Sequence, residues 1–87
     1  MRELGHLLRE TRISRHLDLS DVARKTHISG HYLAAMEEGR FHIIPKVFDR
    51  GYLKIYAKLL DMDVAPILAL YDRIQNGATN QKPENTA

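Results

Sequence analysis

The chain has 87 residues, 44% of them hydrophobic and 28% charged, and its formal net charge is +2 at neutral pH. This length allows one small domain, and the complete lack of cysteine excludes disulfide bonds and thiolate metal sites from its stabilisation. The charge is milder than that of a dedicated nucleic-acid binder, and the apolar runs are too short to span a bilayer.

The N-terminal third of the chain predicts two helices. Leucines at helical spacing, interrupted by charged residues, indicate an amphipathic helix over about residues 1–15. Asp18 follows, and its carboxylate is suited to accept hydrogen bonds from the free amides of a first helical turn. We therefore expect a second, short helix that starts after Asp18 and ends near Thr26.

A third helix is predicted over residues 30–38. Ser29 is its N-cap candidate, and Gly39 fits the left-handed conformation that commonly ends a helix. Two short helices joined by a tight connection form a helix-turn-helix unit, so the middle of the chain predicts this motif.

The C-terminal half predicts two further helices. Pro45 suits a helix start, because its missing amide costs little in the first turn. The helix that follows is predicted over about residues 46–61 and is expected to be the longest in the chain. Asp63 is the N-cap candidate of a fifth helix over about residues 64–75. The predicted fold class is therefore an all-α bundle of five helices.

The end of the chain differs in composition. Asn76-Gly77 is expected to end the fifth helix, and the residues after it are mainly polar, with almost nothing to bury. We therefore expect a helix-turn-helix domain over residues 1–76 and a disordered tail or the start of a linker over residues 77–87.

The helix predicted over residues 46–61 has an unusually wide apolar side. On a helical wheel its apolar arc covers about 200°, whereas packing against one core needs little more than about 100°. The part of the arc that we expect in the core consists of Leu53, Tyr56, Ala57 and Leu60. The remaining edge carries Phe48 and Tyr52, an aromatic pair at i, i+4, with Ile55 beside it.

This edge has two interpretations. If neighbouring helices sandwich the fourth helix, Phe48 and Tyr52 belong to the core. If they do not, the edge is an exposed strip suited to a protein partner, because large aromatic side chains dominate interface energetics. Nearby cations would then steer an acidic partner. The residues predicted to bind a partner are therefore Phe48, Tyr52, Ile55, Lys46, Arg50 and Lys54.

DNA binding is the alternative that a helix-turn-helix unit always raises. In such proteins the first residues of the second helix of the unit touch base edges in the major groove. The corresponding positions here hold no Arg, Lys, Asn or Gln for bidentate base contacts; they are Ser29, Gly30, His31, Tyr32, Ala34 and Ala35. Contacts to DNA would depend on Arg24, Lys25, His31 and Arg40.

The sequence favours neither catalysis nor metal binding. It has no cysteine nucleophile, no glycine-rich phosphate loop and no clear pair of carboxylates. His27 and His31 are four residues apart, but a helix break is expected between them and no carboxylate stands nearby at ligand spacing. We therefore expect no enzyme activity, catalytic residue, metal site or cofactor.

Several segments together resemble a known family. They are the first predicted helix, the Leu17–Gly39 unit, the loop Phe41-x-x-Ile44-Pro45, and the helix Arg50-Gly51-Tyr52-Leu53-Lys54-x-Tyr56-Ala57-x-x-Leu60. Over roughly residues 4–71 the chain is similar to the cytoplasmic domain of the RodZ family of bacterial cell-shape proteins, a divergent branch of the Cro/repressor-type helix-turn-helix domains. The Gly-Tyr-Leu-x-x-Tyr-Ala-x-x-Leu helix is the more specific part of the resemblance.

The resemblance implies a function. It implies a repressor-like helix-turn-helix bundle whose fourth helix binds the actin-like filament protein MreB at the cytoplasmic face of the bacterial inner membrane, through aromatic positions that match Phe48 and Tyr52. Family members continue through a linker and one transmembrane helix, so the chain is expected to be a fragment. The resemblance also implies a buried structural ion pair between Arg12 and Glu37. A sequence-specific DNA-binding regulator remains the alternative, and self-association through the exposed edge is a third hypothesis.

Overall fold

The computed structural model describes the backbone of residues 2–80 and the side chains of residues 2–76. This part of the chain contains five α-helices and one turn of 3-10 helix, without strands, which confirms the predicted all-α class. In chain order the elements are α1 (Arg2–Ser14), α2 (Leu19–Thr26), α3 (Gly30–Glu37), the 3-10 turn (Phe41–Ile43), α4 (Asp49–Leu59) and α5 (Val64–Asn80). None of these helices is both long and apolar enough to cross a membrane.

One hydrophobic core joins all five helices and the 3-10 turn. The four residues of α4 and its end that were predicted to lie in the core are fully buried, which confirms that side of the helix. Because a domain of this size has little apolar area to spare, this single core supplies most of its stability. Its members are Leu4, Leu8, Val22, Ile28, Leu33, Met36, Phe41, Ile44, Leu53, Tyr56, Ala57, Leu60, Ile67 and Tyr71.

Local hydrogen bonds cap the N-terminal ends of α2 and α3, the two helices of the helix-turn-helix unit. The backbone N–H of Asp18 donates to Oδ2 of Asp21 at 3.0 Å, and the hydroxyl of Ser29 accepts from the N–H of His31 at 3.1 Å. Gly39 has φ 76°, the left-handed conformation predicted for it. These bonds give partners to the amide of the residue that precedes α2 and to an amide in the first turn of α3.

A glycine sets the distance between α1 and α3. A Cβ added at Gly5 would lie 2.5 Å from the carbonyl oxygen of Glu37 and 2.6 Å from that of Met36. Gly5 is buried, and its neighbours at this point are backbone atoms that belong to a helix end. The absence of a side chain at Gly5 therefore allows α1 to pack directly on the last turn of α3.

The helix α4 begins three residues later than predicted. The N–H of Phe48 donates to the carbonyl of Pro45 at 2.8 Å and closes a turn, and the helical hydrogen bonds start from Phe48 onward. The prediction that the fourth helix is the longest is wrong, because α5 has 17 residues and α4 has 11.

The predicted end of α5 at Asn76-Gly77 is also wrong, because the helical backbone continues to Asn80. Residues 81–87, which belong to the predicted tail, lie outside the described part of the chain.

Candidate functional site

The start of α4 presents an exposed apolar surface. Phe48 is 46% exposed and Ile55 is 43% exposed, while Tyr52 between them is half-buried. We call these three residues the docking strip. Val47, just before the helix, is 81% exposed. Large apolar side chains that remain exposed side by side mark candidate interaction surfaces, so this geometry favours the partner-binding interpretation of the edge.

The docking strip continues into a row of rings in contact, of which the first pair is stacked and the other two are tilted. The rings of Phe48 and Tyr52 are nearly parallel, with an interplanar angle of 8° and centroids 5.4 Å apart. Tyr52 in turn lies 5.9 Å from Tyr32 of α3, and Tyr32 lies 5.7 Å from His31. Ring contacts of this kind hold the side chains in a defined orientation. The row therefore forms one aromatic surface across α3 and α4.

Tyr32 was not among the residues predicted to bind a partner. Its spacing with Leu33 and Met36 indicates the apolar face of α3, and it is half-buried in the structure. Its contact with Tyr52 spans 20 residues of sequence, so helical periodicity carries no signal for it. Only the tertiary fold brings the two rings together.

The three cations predicted to surround the strip differ in their surroundings. Lys46 lies 3.3 Å from Oδ2 of Asp49, and Arg50 forms two hydrogen bonds of 2.9 Å with the carboxylate of Asp72. Lys54 is exposed and has no partner within the described residues. Of these three cations, Lys54 is therefore the residue whose charge no neighbouring carboxylate offsets.

Asp49 is a buried polar anchor at the first residue of α4. It is 5% exposed, and its carboxylate accepts hydrogen bonds from the Tyr71 hydroxyl and from the N–H of Arg50, the latter at 2.7 Å. Burial acts to raise the pKa of Asp49, but the hydrogen bonds from Tyr71, Arg50 and Lys46 together hold it below its usual value. Burial and the bond to Asp49 raise the pKa of Tyr71. These contacts fix the start of α4 to α5.

Arg12 and Glu37 form a bidentate ion pair between α1 and α3. Arg12 Nε lies 2.7 Å from Glu37 Oε2, and Nη2 lies 3.0 Å from Oε1; the two side chains are 12% and 6% exposed. The hydrogen bond to Glu37 raises the pKa of Arg12. The Tyr56 hydroxyl also donates to Oε2, and burial together with this bond raises the pKa of Tyr56. The cluster joins three helices and is structural in character.

The residues considered for DNA contact have other neighbours. Arg24 pairs with Asp21 at 2.9 Å, Arg40 pairs with Glu38 at 3.2 Å, and the ring of His31 packs against Tyr32. Lys25 is exposed and has no partner among the described residues.

The start of α3 adds little to a DNA-binding surface. At its apolar positions Ala34 is half-buried and Ala35 is buried, so neither offers a side chain to a groove. Within residues 2–76 no group of three or more His, Asp or Glu side chains is arranged to hold a metal ion.

The comparisons with known proteins agree with this architecture. Residues 7–67 match the model of a family described as a helix-turn-helix domain. The chain is 37% identical over 70 residues to the cytoskeleton protein RodZ of Streptococcus pneumoniae, a match that covers 79% of this chain and 25% of the relative. It is 40% identical over 48 residues to the membrane protein YmfM of Bacillus subtilis, which covers 54% of this chain and 17% of the relative.

The chain thus spans about a quarter or less of the length of these relatives. No solved structure gives a significant match.

Proposed function

Because this chain belongs to the helix-turn-helix domain family and carries a RodZ-like domain, we propose that it is the filament-binding module of a bacterial cell-shape protein. Its partner is the actin-like filament protein MreB, and its contact surface is the docking strip on α4. The observation that carries the proposal is the exposed Phe48 ring, stacked on Tyr52, in a domain that leaves this edge of α4 uncovered.

The rings of Phe48 and Tyr52 would lose contact with water when a partner covers them. Aromatic side chains have few rotatable bonds and a large area, so covering them releases much apolar surface from water at a small cost in conformational entropy. The contact of Phe48 with Tyr52 already restricts both rings in the free domain. A partner would therefore meet a preformed surface.

The domain would act at the cytoplasmic face of the inner membrane. One relative is a cytoskeleton protein and the other is a membrane protein, and in each case the matched part is a minor share of the whole. A helix-turn-helix domain joined to a membrane anchor would place the docking strip where filaments run along the membrane. That the domain is joined to a membrane anchor is itself a part of this proposal.

The test is co-sedimentation of the 87-residue chain with polymerised MreB from the same organism. Phe48→Ala and Tyr52→Ala are expected to weaken binding by about tenfold or more each, which is typical of aromatic hot spots. Ile13→Ala is the matched control, because Ile13 on α1 is 47% exposed, almost the same fraction as Phe48. Circular dichroism establishes that each variant is folded.

Equal binding of the wild type and the folded Phe48→Ala, Tyr52→Ala double variant would refute the docking strip. DNA binding is measured in parallel with duplex DNA at several salt concentrations. Micromolar affinity at physiological salt that is lost in Arg24→Glu or Arg40→Glu would favour the regulator instead.

A further inference from the structure

Gly51 lies on the exposed side of α4, among the residues of the docking strip. It is exposed, and a Cβ built on it would have no atom within 4 Å. This differs from Gly5, where helix α3 occupies the space that a side chain would need. The packing of the domain therefore gives no reason for a glycine at position 51, although glycine is a poorer helix former than alanine.

Gly51 and its neighbours form a hole of the kind seen in knobs-into-holes packing of helices. The spacing i, i+3, i+4 and i+7 is formed by Phe48, the N-cap residue of α4, and by Gly51, Tyr52 and Ile55 within the helix. Four residues with this spacing form the hole that receives one side chain, the knob, from a partner helix. Because one corner of this hole is a glycine, its floor is the backbone of α4, and it admits a larger knob than four ordinary side chains would.

The charges beside this hole lie on one flank. Lys54 and Lys58 are exposed on the side of α4 next to Gly51, and neither has a partner within the described residues. The other two cations near the strip, Lys46 and Arg50, are held by Asp49 and Asp72. Charges that flank a helix seam select the partner and its orientation, so the free lysines favour a partner with carboxylates along that flank.

We propose that Gly51 is a specificity-determining contact, where an α-helix of the partner packs directly on α4. A large apolar side chain of that helix enters the hole between Phe48 and Ile55, and Asp or Glu residues of the same helix face Lys54 and Lys58. An extended peptide fits less well, because a helix offers no strand edge to which a peptide strand could add. The inference rests on the proposed function and adds the shape and charge of the partner surface.

The test separates binding from stability at one residue. Gly51→Ala and Gly51→Leu replace a poor helix former with good ones and meet no clash within the domain, so both variants are expected to unfold at or above the wild-type midpoint. The filled hole excludes the knob, so Gly51→Leu is expected to bind MreB filaments about tenfold or more weakly, and Gly51→Ala by a smaller factor. A merely structural residue would not change stability and binding in opposite directions.

A control and a charge reversal complete the experiment. Gly30→Ala, at another exposed glycine with open space around it, is expected to leave binding unchanged. Lys58→Glu is expected to slow association and to abolish much of its salt dependence. Arg73→Glu on α5 reverses a charge that also lacks a partner within the described residues, and it is expected to have little effect.

The outcomes distinguish this inference from the proposed function. If Phe48→Ala loses binding while Gly51→Leu binds like the wild type, the docking strip stands and the close helix contact is wrong. If neither variant loses binding, both are wrong. If sedimentation shows that the chain alone dimerises and Gly51→Leu abolishes the dimer, the occupant of the hole is a second copy, and the filament helix is refuted.

Discussion

Tyr71 on α5 donates a hydrogen bond to Asp49, the first residue of α4, so that the buried carboxylate lies between two helices. We expect Asp49→Asn to lower the free energy of unfolding by about 1–3 kcal/mol at pH 7, because the amide cannot accept all the hydrogen bonds that the carboxylate receives. Asp72→Asn, which breaks an exposed ion pair, is expected to lower the free energy of unfolding by less than Asp49→Asn does, because solvent screens exposed charges. Urea denaturation of both variants gives the comparison.

The stabilisation by Asp49 also depends on pH in a definite direction. Its pKa in the folded chain lies below its ordinary value, which is about 3.9 in the unfolded chain. The contribution is therefore fully present above about pH 4 and is lost as the pH falls through the lower folded value. The difference in stability between the wild type and Asp49→Asn should narrow in urea titrations from pH 5 towards pH 2. A difference that stays constant over this range would contradict the assignment.

Glu37 and Glu38 are adjacent carboxylates with very different surroundings. Glu37 receives both Arg12 and Tyr56, and its side chain is 6% exposed, whereas Glu38 meets Arg40 at the surface. Glu37→Gln leaves the guanidinium without a counter-charge and is expected to cost about 3 kcal/mol. Glu38→Gln is expected to cost less than about 1 kcal/mol. Thermal unfolding followed by circular dichroism would contradict this account if the two midpoints coincided.

Adding a single methyl group at Gly5 and at Gly30 is expected to change the free energy of unfolding in opposite directions. Gly5→Ala forces a Cβ against two backbone carbonyls of α3, which cannot rotate away as a side chain could, so we expect a loss of about 1–3 kcal/mol. Gly30→Ala meets open space at the first position of α3 and is expected to be neutral or to stabilise by up to about 1 kcal/mol. Chemical denaturation measures both; a Gly5→Ala domain as stable as the wild type would show that α1 shifts freely on α3.

His27 follows α2 in the left-handed conformation, with φ 61°. Glycine adopts this conformation without steric cost, so His27→Gly is expected to raise the free energy of unfolding by about 0.5–1 kcal/mol. Lys25→Gly, two residues earlier within the helix, is expected to lower it by about 1 kcal/mol. If His27→Gly lowered the free energy of unfolding as much as Lys25→Gly does, the His27 side chain would stabilise the fold by more than its left-handed backbone costs.

Local signals in the sequence were sufficient for the number and order of the helices and for the core side of α4. Asp18 and Ser29 are the N-cap residues of α2 and α3, and the left-handed Gly39 follows α3, so the start of α2 and both ends of α3 were marked correctly. The start of α4 was misplaced because a proline suits the first turn of a helix and also a tight turn, and here the N–H of Phe48 bonds to Pro45 three residues before it.

The surroundings of the docking strip were less predictable. Arg50 was predicted to steer an acidic partner, but its position beside Asp72 depends on how α4 and α5 pack together. The same holds for Tyr32 against Tyr52, and for Gly5 against the end of α3. Helical periodicity describes one helix at a time, so it cannot predict contacts between segments that are distant in the sequence.

The carboxylate shared by α1, α3 and α4 has a consequence for protein engineering. A peptide cut out as the helix-turn-helix hairpin would carry Glu37 but leave behind both of its donors, Arg12 and Tyr56. If a foreign helix-turn-helix unit replaced α2 and α3 in this domain, it would need an acidic residue at the position of Glu37. Without one, the Arg12 guanidinium would be buried without a counter-charge. The helix-turn-helix unit therefore cannot be moved to another protein by itself, because Glu37 would also need Arg12 and Tyr56.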